Sequence, residues 1–94
     1  MSHQEYHIIH LPTANRFQVD LPGEPAVLIY RIQAGYMLLL HTGVPEAYEG
    51  RGIAAMMARA VLDYAKDNGL KVKSFCSFTT RYIERHQEYK GLLG

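Results

Sequence analysis

The sequence predicts an α/β fold: a mixed, mostly antiparallel twisted sheet with one strand–helix–strand unit and a short helix near the C-terminus. Three observations carry this. Short runs that alternate or are wholly apolar, each bounded by turn formers, fill the first half of the chain; one long amphipathic helical stripe follows; a further strand returns directly after the helix stop. A chain of 94 residues has material for one core and buries roughly two thirds of its unfolded surface. Residues 1–94 are therefore expected to form one domain.

Tyr6 to Leu11 and Phe17 to Leu21 read as strands joined by the turn formers Pro12 to Asn15, an opening hairpin. In the second run Phe17, Val19 and Leu21 alternate with Arg16, Gln18 and Asp20, so one face is buried and the pairing is antiparallel. A Pro-Gly-Glu-Pro break at 22–25 leads into Ala26 to Ile32, and Ala34-Gly35 turns the chain into Tyr36 to His41. The unbroken apolarity of Tyr36 to Leu40 predicts a central strand buried on both faces. From about Gly50 to Asn68, Ile53, Met56, Met57, Ala60, Val61, Tyr64 and Ala65 fall on one helical stripe. Arg59, Asp63, Lys66 and Asp67 lie opposite, and Asn68-Gly69 supplies a left-handed stop. Leu70 to Phe75 then forms a strand, and Thr79 to His86 a short helix. A strand–helix–strand connection makes its flanking strands parallel, with a right-handed crossover.

The net charge of +1, with basic and acidic residues interspersed, argues against nucleic acid as a partner. The longest apolar run is too short to span a bilayer as a helix, which sets a membrane role aside. A single cysteine, Cys76, excludes an internal disulfide, and with no secretory signal the cytoplasm is the expected compartment. His3, His7 and His10 form the one histidine cluster, without paired cysteines or an acidic motif, and are read as surface residues; no metal site is expected. Cys76 and Arg81 are one residue closer than a Cys-based phosphatase loop requires. A small open sheet is compatible with a monomer or a weak homodimer.

Chemistry concentrates at two places. Gly50 and Gly52 stand at the start of the long helix, where free N–H groups and the positive dipole end can hold phosphate, with Arg51 adding a charge. An isolated Gly-x-Gly is equally a tight entry into a helix. His41 ends the strand before that helix and Cys76 the strand after it, so imidazole, thiol and phosphate site converge on one edge of the sheet. Such a pair suits acyl transfer, the thiolate being favoured by imidazolium or by the helix beyond Cys76. The plain alternatives are a small buried cysteine and a solvated histidine. Tyr82 is a candidate general acid or a packing residue; Met56-Met57, Tyr48 and Tyr64 read as structural.

Tyr48-Glu-Gly-Arg-Gly-Ile-Ala54 followed by an amphipathic helix resembles the acetyl-CoA signature of the GNAT superfamily, Gln/Arg-x-x-Gly-x-Gly/Ala, through Gly52 and Ala54. His41-Thr-x-Val-Pro, Phe75-Cys-Ser-Phe and Tyr82-Ile-x-Arg-His resemble its compact YjdJ-type branch, over nearly the whole chain. The resemblance implies a minimal GNAT-like fold with a βαβ acetyl-CoA-binding core. It implies that the backbone of Gly50, Arg51, Gly52, Ile53 and Ala54 holds the pyrophosphate of coenzyme A, that Gly43 and Val44 pair with the pantetheine arm, and that Cys76, with His41 near it, is the catalytic candidate. The implied activity is acetyl transfer from acetyl-CoA to an amine or other small nucleophile, the acceptor unknown; the competing reading is a non-catalytic acyl-CoA-binding or interaction module. Glu49 departs from the signature's basic or amide first position and is expected to weaken phosphate binding, and Gly43 stands where the branch often has an acid.

Overall fold

A computed structural model of the chain describes residues 5–94. Its five-stranded sheet has the order β1 (Ile9–Leu11), β2 (Arg16–Val19), β3 (Ala26–Gln33), β4 (Tyr36–Gly43), β5 (Lys71–Ser74). The first four strands pair antiparallel with their sequence neighbours, and β5 pairs parallel with β4 after the crossover through α1 (Ile53–Asp67). α2 (Ser77–Arg85) and a 3-10 segment (Gln87–Leu92) follow. The predicted α/β class and the single parallel pair hold.

The core lies between one face of the sheet and the helices. Phe17, Val19, Leu28, Tyr30, Met37, Leu39 and Val72 project from successive strands onto Ile53, Met57, Val61, Leu62 and Ala65 of α1 and Ile83 of α2. The buried set on α1 is rotated from the predicted stripe. Ala58 and Leu62 are fully enclosed, whereas Met56, Ala60 and Tyr64 are half-buried. The reason is α2 and the C-terminal segment, which cover a second flank of the helix: Tyr89 is buried there and its hydroxyl donates to Asp63 Oδ1 at 2.7 Å. Asp63, expected on the wet side, is thus a partner of the C-terminal segment.

β4 is flanked by strands on both edges, as its apolarity predicts, but it is buried on one face only: Met37 and Leu39 are inaccessible, Tyr36 and Leu38 are half-buried and Leu40 is 39% exposed. The outer face is partly covered by side chains, with the Lys73 ammonium 4.5 Å from the Tyr36 ring centroid. The opening hairpin is shorter than predicted: the ladder begins at Ile9, and Tyr6 and Ile8 pack on the core outside it. His10 is no surface residue. Its ring stacks on Phe17 at 4.1 Å, meets Tyr64 edge-on at 4.6 Å, hydrogen-bonds the Tyr30 hydroxyl, and burial lowers its pKa. His7 is exposed and His3 lies outside the described residues. The C-terminal segment beyond α2 returns to β5, where Gly94 N–H donates to the Val72 carbonyl at 3.2 Å.

Candidate functional site

The turn into α1 is built on two glycines. Gly50 and Gly52 adopt φ of +82° and +81°, a region costly for any residue with a Cβ. Gly52 is the N-cap, and no side chain caps the helix. The backbone ladder of α1 begins with Met56 N–H to the Gly52 carbonyl at 3.0 Å, so the N–H groups of the preceding first turn have no partner within the helix. They border a groove of about 230 Å³ lined by Val44, Gly50, Gly52, Ile53 and Ala54 of the expected cofactor set, with Glu49 and Phe78 at its walls. Arg51 is turned away: its guanidinium donates to the Tyr6 hydroxyl at 3.3 Å and lies 5.1 Å from the Tyr48 ring centroid. Gly43 lines a neighbouring hollow of about 220 Å³ with His41 and Glu24, which meets the first groove at Val44.

Cys76 occupies the N-cap of α2, directly beyond β5. Its thiol donates to Thr42 Oγ1 at 3.4 Å. The position is fixed by hydroxyls: Thr79, completely buried, donates to the Cys76 carbonyl at 3.2 Å, Ser74 and Thr79 lie 2.6 Å apart, and Thr80 donates to Ser74 Oγ at 2.8 Å. Burial opposes ionisation of the thiol. It is outweighed by the Thr42 hydroxyl and by the backbone N–H groups of Thr79 and Phe78 near the sulfur, and the net effect holds the pKa below the ordinary thiol value, although no regular side-chain cap bond closes.

Cys76 and His41 do not face each other. In the β3–β4 ladder Ile29 pairs with His41 and Tyr30 with Leu39, which leaves Leu40 as an extra residue and shifts the register. Before this bulge Met37 and Leu39 face the helices; after it Thr42, paired with the fully buried Leu28, takes that face and His41 goes to the other. The same irregularity sets Thr42 beside the thiol and His41 over Gly43, where a Cβ added to the glycine would lie 3.1 Å from His41 Nε2. The expected convergence of the two sheet-edge residues therefore holds for strand position but not for face. The residues that do surround the thiol, Thr42, Ser74 and Thr79, were missed; the hydroxyl-rich run Ser74 to Thr80 around the lone cysteine was the available signal. Tyr82 is stacked on His86 at 3.9 Å with a pKa raised by burial, and lines a different groove.

The β4–β5 pairing ends at Leu39 and Ser74, with Phe75 N–H donating to the Leu39 carbonyl at 2.8 Å; β4 alone continues to Gly43. The two parallel strands thus part just before Cys76. A parallel pair joined through a Gly-x-Gly helix start fits the βαβ core that the resemblance to the GCN5-related N-acetyltransferases implies. The profile of that family, GCN5-related N-acetyl-transferase, matches residues 16–92, and the chain belongs to it. Protein NATD1 of Mus musculus is 38% identical over 74 residues, 76% of this chain and 67% of its own; the human protein is 38% identical over 76% and 66%. The chain thus spans about two thirds of the length of these relatives. The Danio rerio protein is 33% identical over 85% of this chain and 77% of its own. A solution structure of a GCN5-like protein from Staphylococcus aureus superposes with a TM-score of 0.75 at 26% identity, covering 94% of this chain and 87% of that one. Among the described residues no helix is long and apolar enough to cross a membrane, and no group of three potential metal ligands forms.

Proposed function

We propose that this protein, acting as one domain over residues 1–94, transfers the acetyl group of acetyl-CoA to an amine. The observation that carries this reading is the groove that runs from the uncapped start of α1 past Val44 to Phe78, two residues beyond Cys76 in the chain. Coenzyme A pyrophosphate lies on the first-turn N–H groups of α1, and the pantetheine arm follows Val44 toward the strand gap. The acetyl thioester then reaches the divergence of β4 and β5 beside Cys76, with the Val44 N–H stabilising the oxyanion that develops at its carbonyl oxygen.

In the relayed route the Cys76 thiol gives its proton to solvent water and its sulfur attacks the acetyl carbon. The carbon–sulfur bond to coenzyme A breaks, and coenzyme A leaves as thiolate and takes up that proton. The amine next attacks acetyl-Cys76, forming the amide, and its proton returns to the Cys76 sulfur. In the direct route the amine attacks acetyl-CoA itself, entering from the outer face, and His41 takes its proton while coenzyme A departs. Support for the relay is the lowered thiol pKa and the rigid hydroxyl cradle; support for the direct route is the His41 hollow beside Gly43. The reading of an acyl-CoA-binding module without turnover draws on Glu49, whose side chain stands at the groove wall where phosphate charge arrives.

The test combines binding with turnover. Calorimetric titration should give saturable one-site binding of acetyl-CoA, and an amine panel should release free coenzyme A thiol above the hydrolysis background. Without amine, intact-mass spectrometry should trap one acetyl group on the wild type and none on Cys76→Ala. Binding without thiol release assigns the module reading, turnover retained in Cys76→Ala assigns the direct route, and absence of binding refutes the coenzyme A site.

A further inference from the structure

A second groove, of about 420 Å³, opens between the first turn of α1 and the outer side of α2. It shares Ala55 and Phe78 with the groove at the phosphate turn, so the two are continuous across that pair. Arg81 and Arg85, one helical turn apart, face it together with Tyr82 and His86. No carboxylate lines it: Glu84 falls on another side of α2, against Ser74 and Ile83. Neither arginine forms an ion pair among the described residues, although Glu84 and Glu88 are close in sequence. Two exposed guanidinium groups have been set side by side, next to an aromatic wall of Phe78, Tyr82 and His86, one residue pair away from a phosphate-binding helix start. That is a site for a phosphate monoester attached to a flat ring system: guanidinium matches phosphate with paired hydrogen bonds, and a monoester is close to dianionic at neutral pH.

We infer that this groove binds the 3′-phosphorylated adenosine end of coenzyme A, with Arg81 and Arg85 holding the 3′-phosphate. The inference rests on the coenzyme A reading above and makes the protein selective for coenzyme A over its 3′-dephospho form. The pyrophosphate on α1 fixes where the nucleotide emerges, Phe78 and Ala55 form the sill it crosses, and the arginine pair ends the track. Both arginines are exposed, so the effect is that of a screened charge pair strengthened by geometry, about tenfold in affinity.

The test is titration with coenzyme A and with 3′-dephospho-coenzyme A, on the wild type and on Arg81→Ala/Arg85→Ala. Both positions are exposed on a helix and alanine is a good helix former, so the variant is expected to fold; an unchanged thermal midpoint checks it. The wild type should bind coenzyme A about tenfold more tightly than the dephospho form. The double variant should bind both with the affinity of the wild type for the dephospho form, and Arg81→Lys/Arg85→Lys should recover part of the preference. Equal wild-type affinity for the two forms, or a variant that weakens both alike, overturns this inference and leaves the pyrophosphate site intact. Binding of neither form by any variant overturns the coenzyme A reading as well.

Discussion

Gly52 and Gly69 bracket α1, and replacing each by alanine separates the backbone's needs from the ligand's. Both have positive φ, +81° and +67°, and at both an added Cβ meets nothing within 4 Å. The folded-state cost is therefore the left-handed backbone alone, about 1–2 kcal/mol at either site. For a chain of this size that lowers the thermal midpoint by roughly 4–16 °C. Function should divide the two. Gly52 lines the groove at the helix start, whereas Gly69 lies roughly 25 Å along the axis. A methyl at Gly52 keeps phosphate from approaching the first-turn amides, removing on the order of one charge-assisted hydrogen bond, about 1.5–3 kcal/mol. Acetyl-CoA affinity should accordingly fall roughly ten- to a hundredfold in Gly52→Ala and remain at the wild-type value in Gly69→Ala. Thermal melts and calorimetric titrations of both variants are the assay. Equal affinities in the two variants, with similar melting points, would show that the glycine turn is only an entry into the helix and carries no phosphate.

Thr42→Val removes the hydroxyl that favours the Cys76 thiolate, so the midpoint of the pH profile for iodoacetamide alkylation should rise and the rate at neutral pH should fall; an unchanged profile would show that Thr42 does not tune the thiol. Glu49→Gln removes a negative charge from the groove wall and should tighten acetyl-CoA binding by a few-fold, since an exposed charge is worth under about 1 kcal/mol, with the gain shrinking as salt rises. Tyr89 has its pKa pushed up to about 12 by burial first and by its bond to Asp63 second. The unfolded chain releases that proton near pH 10 and the folded chain does not, so wild-type stability should decline between about pH 10 and pH 12. Tyr89→Phe should be less stable by about 1 kcal/mol at neutral pH and should lack this part of the alkaline decline, as denaturant titrations at both pH values would register.

The elements that were legible in the sequence are those whose signal is local. The glycine pair, the period of α1 and its Asn68-Gly69 stop, and the alternation of Phe17 and Val19 each depend on a few neighbouring residues, and each was found in place. What stayed hidden depended on partners distant in the chain. Ala58 and Leu62 are enclosed because the C-terminal segment folds back over α1, and His10 is drawn into a ring cluster by Phe17, Tyr30 and Tyr64. Neither can be inferred from the residues on either side of Ala58 or His10.

The bulge at Leu40 is the sharpest case, because one unpaired residue decides which face every later side chain of β4 takes. The run Met37 to Leu40 is apolar throughout, so hydrophobic alternation gives no hint that the register slips there. Continued regularly, the strand would have aimed His41 at the helices and at Cys76. With the bulge, a hydroxyl takes that place and the imidazole goes to the outer face. The strand has also lost its regular pairing where β5 diverges, which opens backbone between the two parallel strands at the level of the thiol. A hydroxyl beside Cys76 favours the thiolate without supplying a positive charge, and His41 lies on the far side of the sheet. The irregularity at Leu40, invisible to hydrophobic alternation, is thus what puts the thiol and the imidazole on opposite faces of the sheet at the carboxyl end of β4.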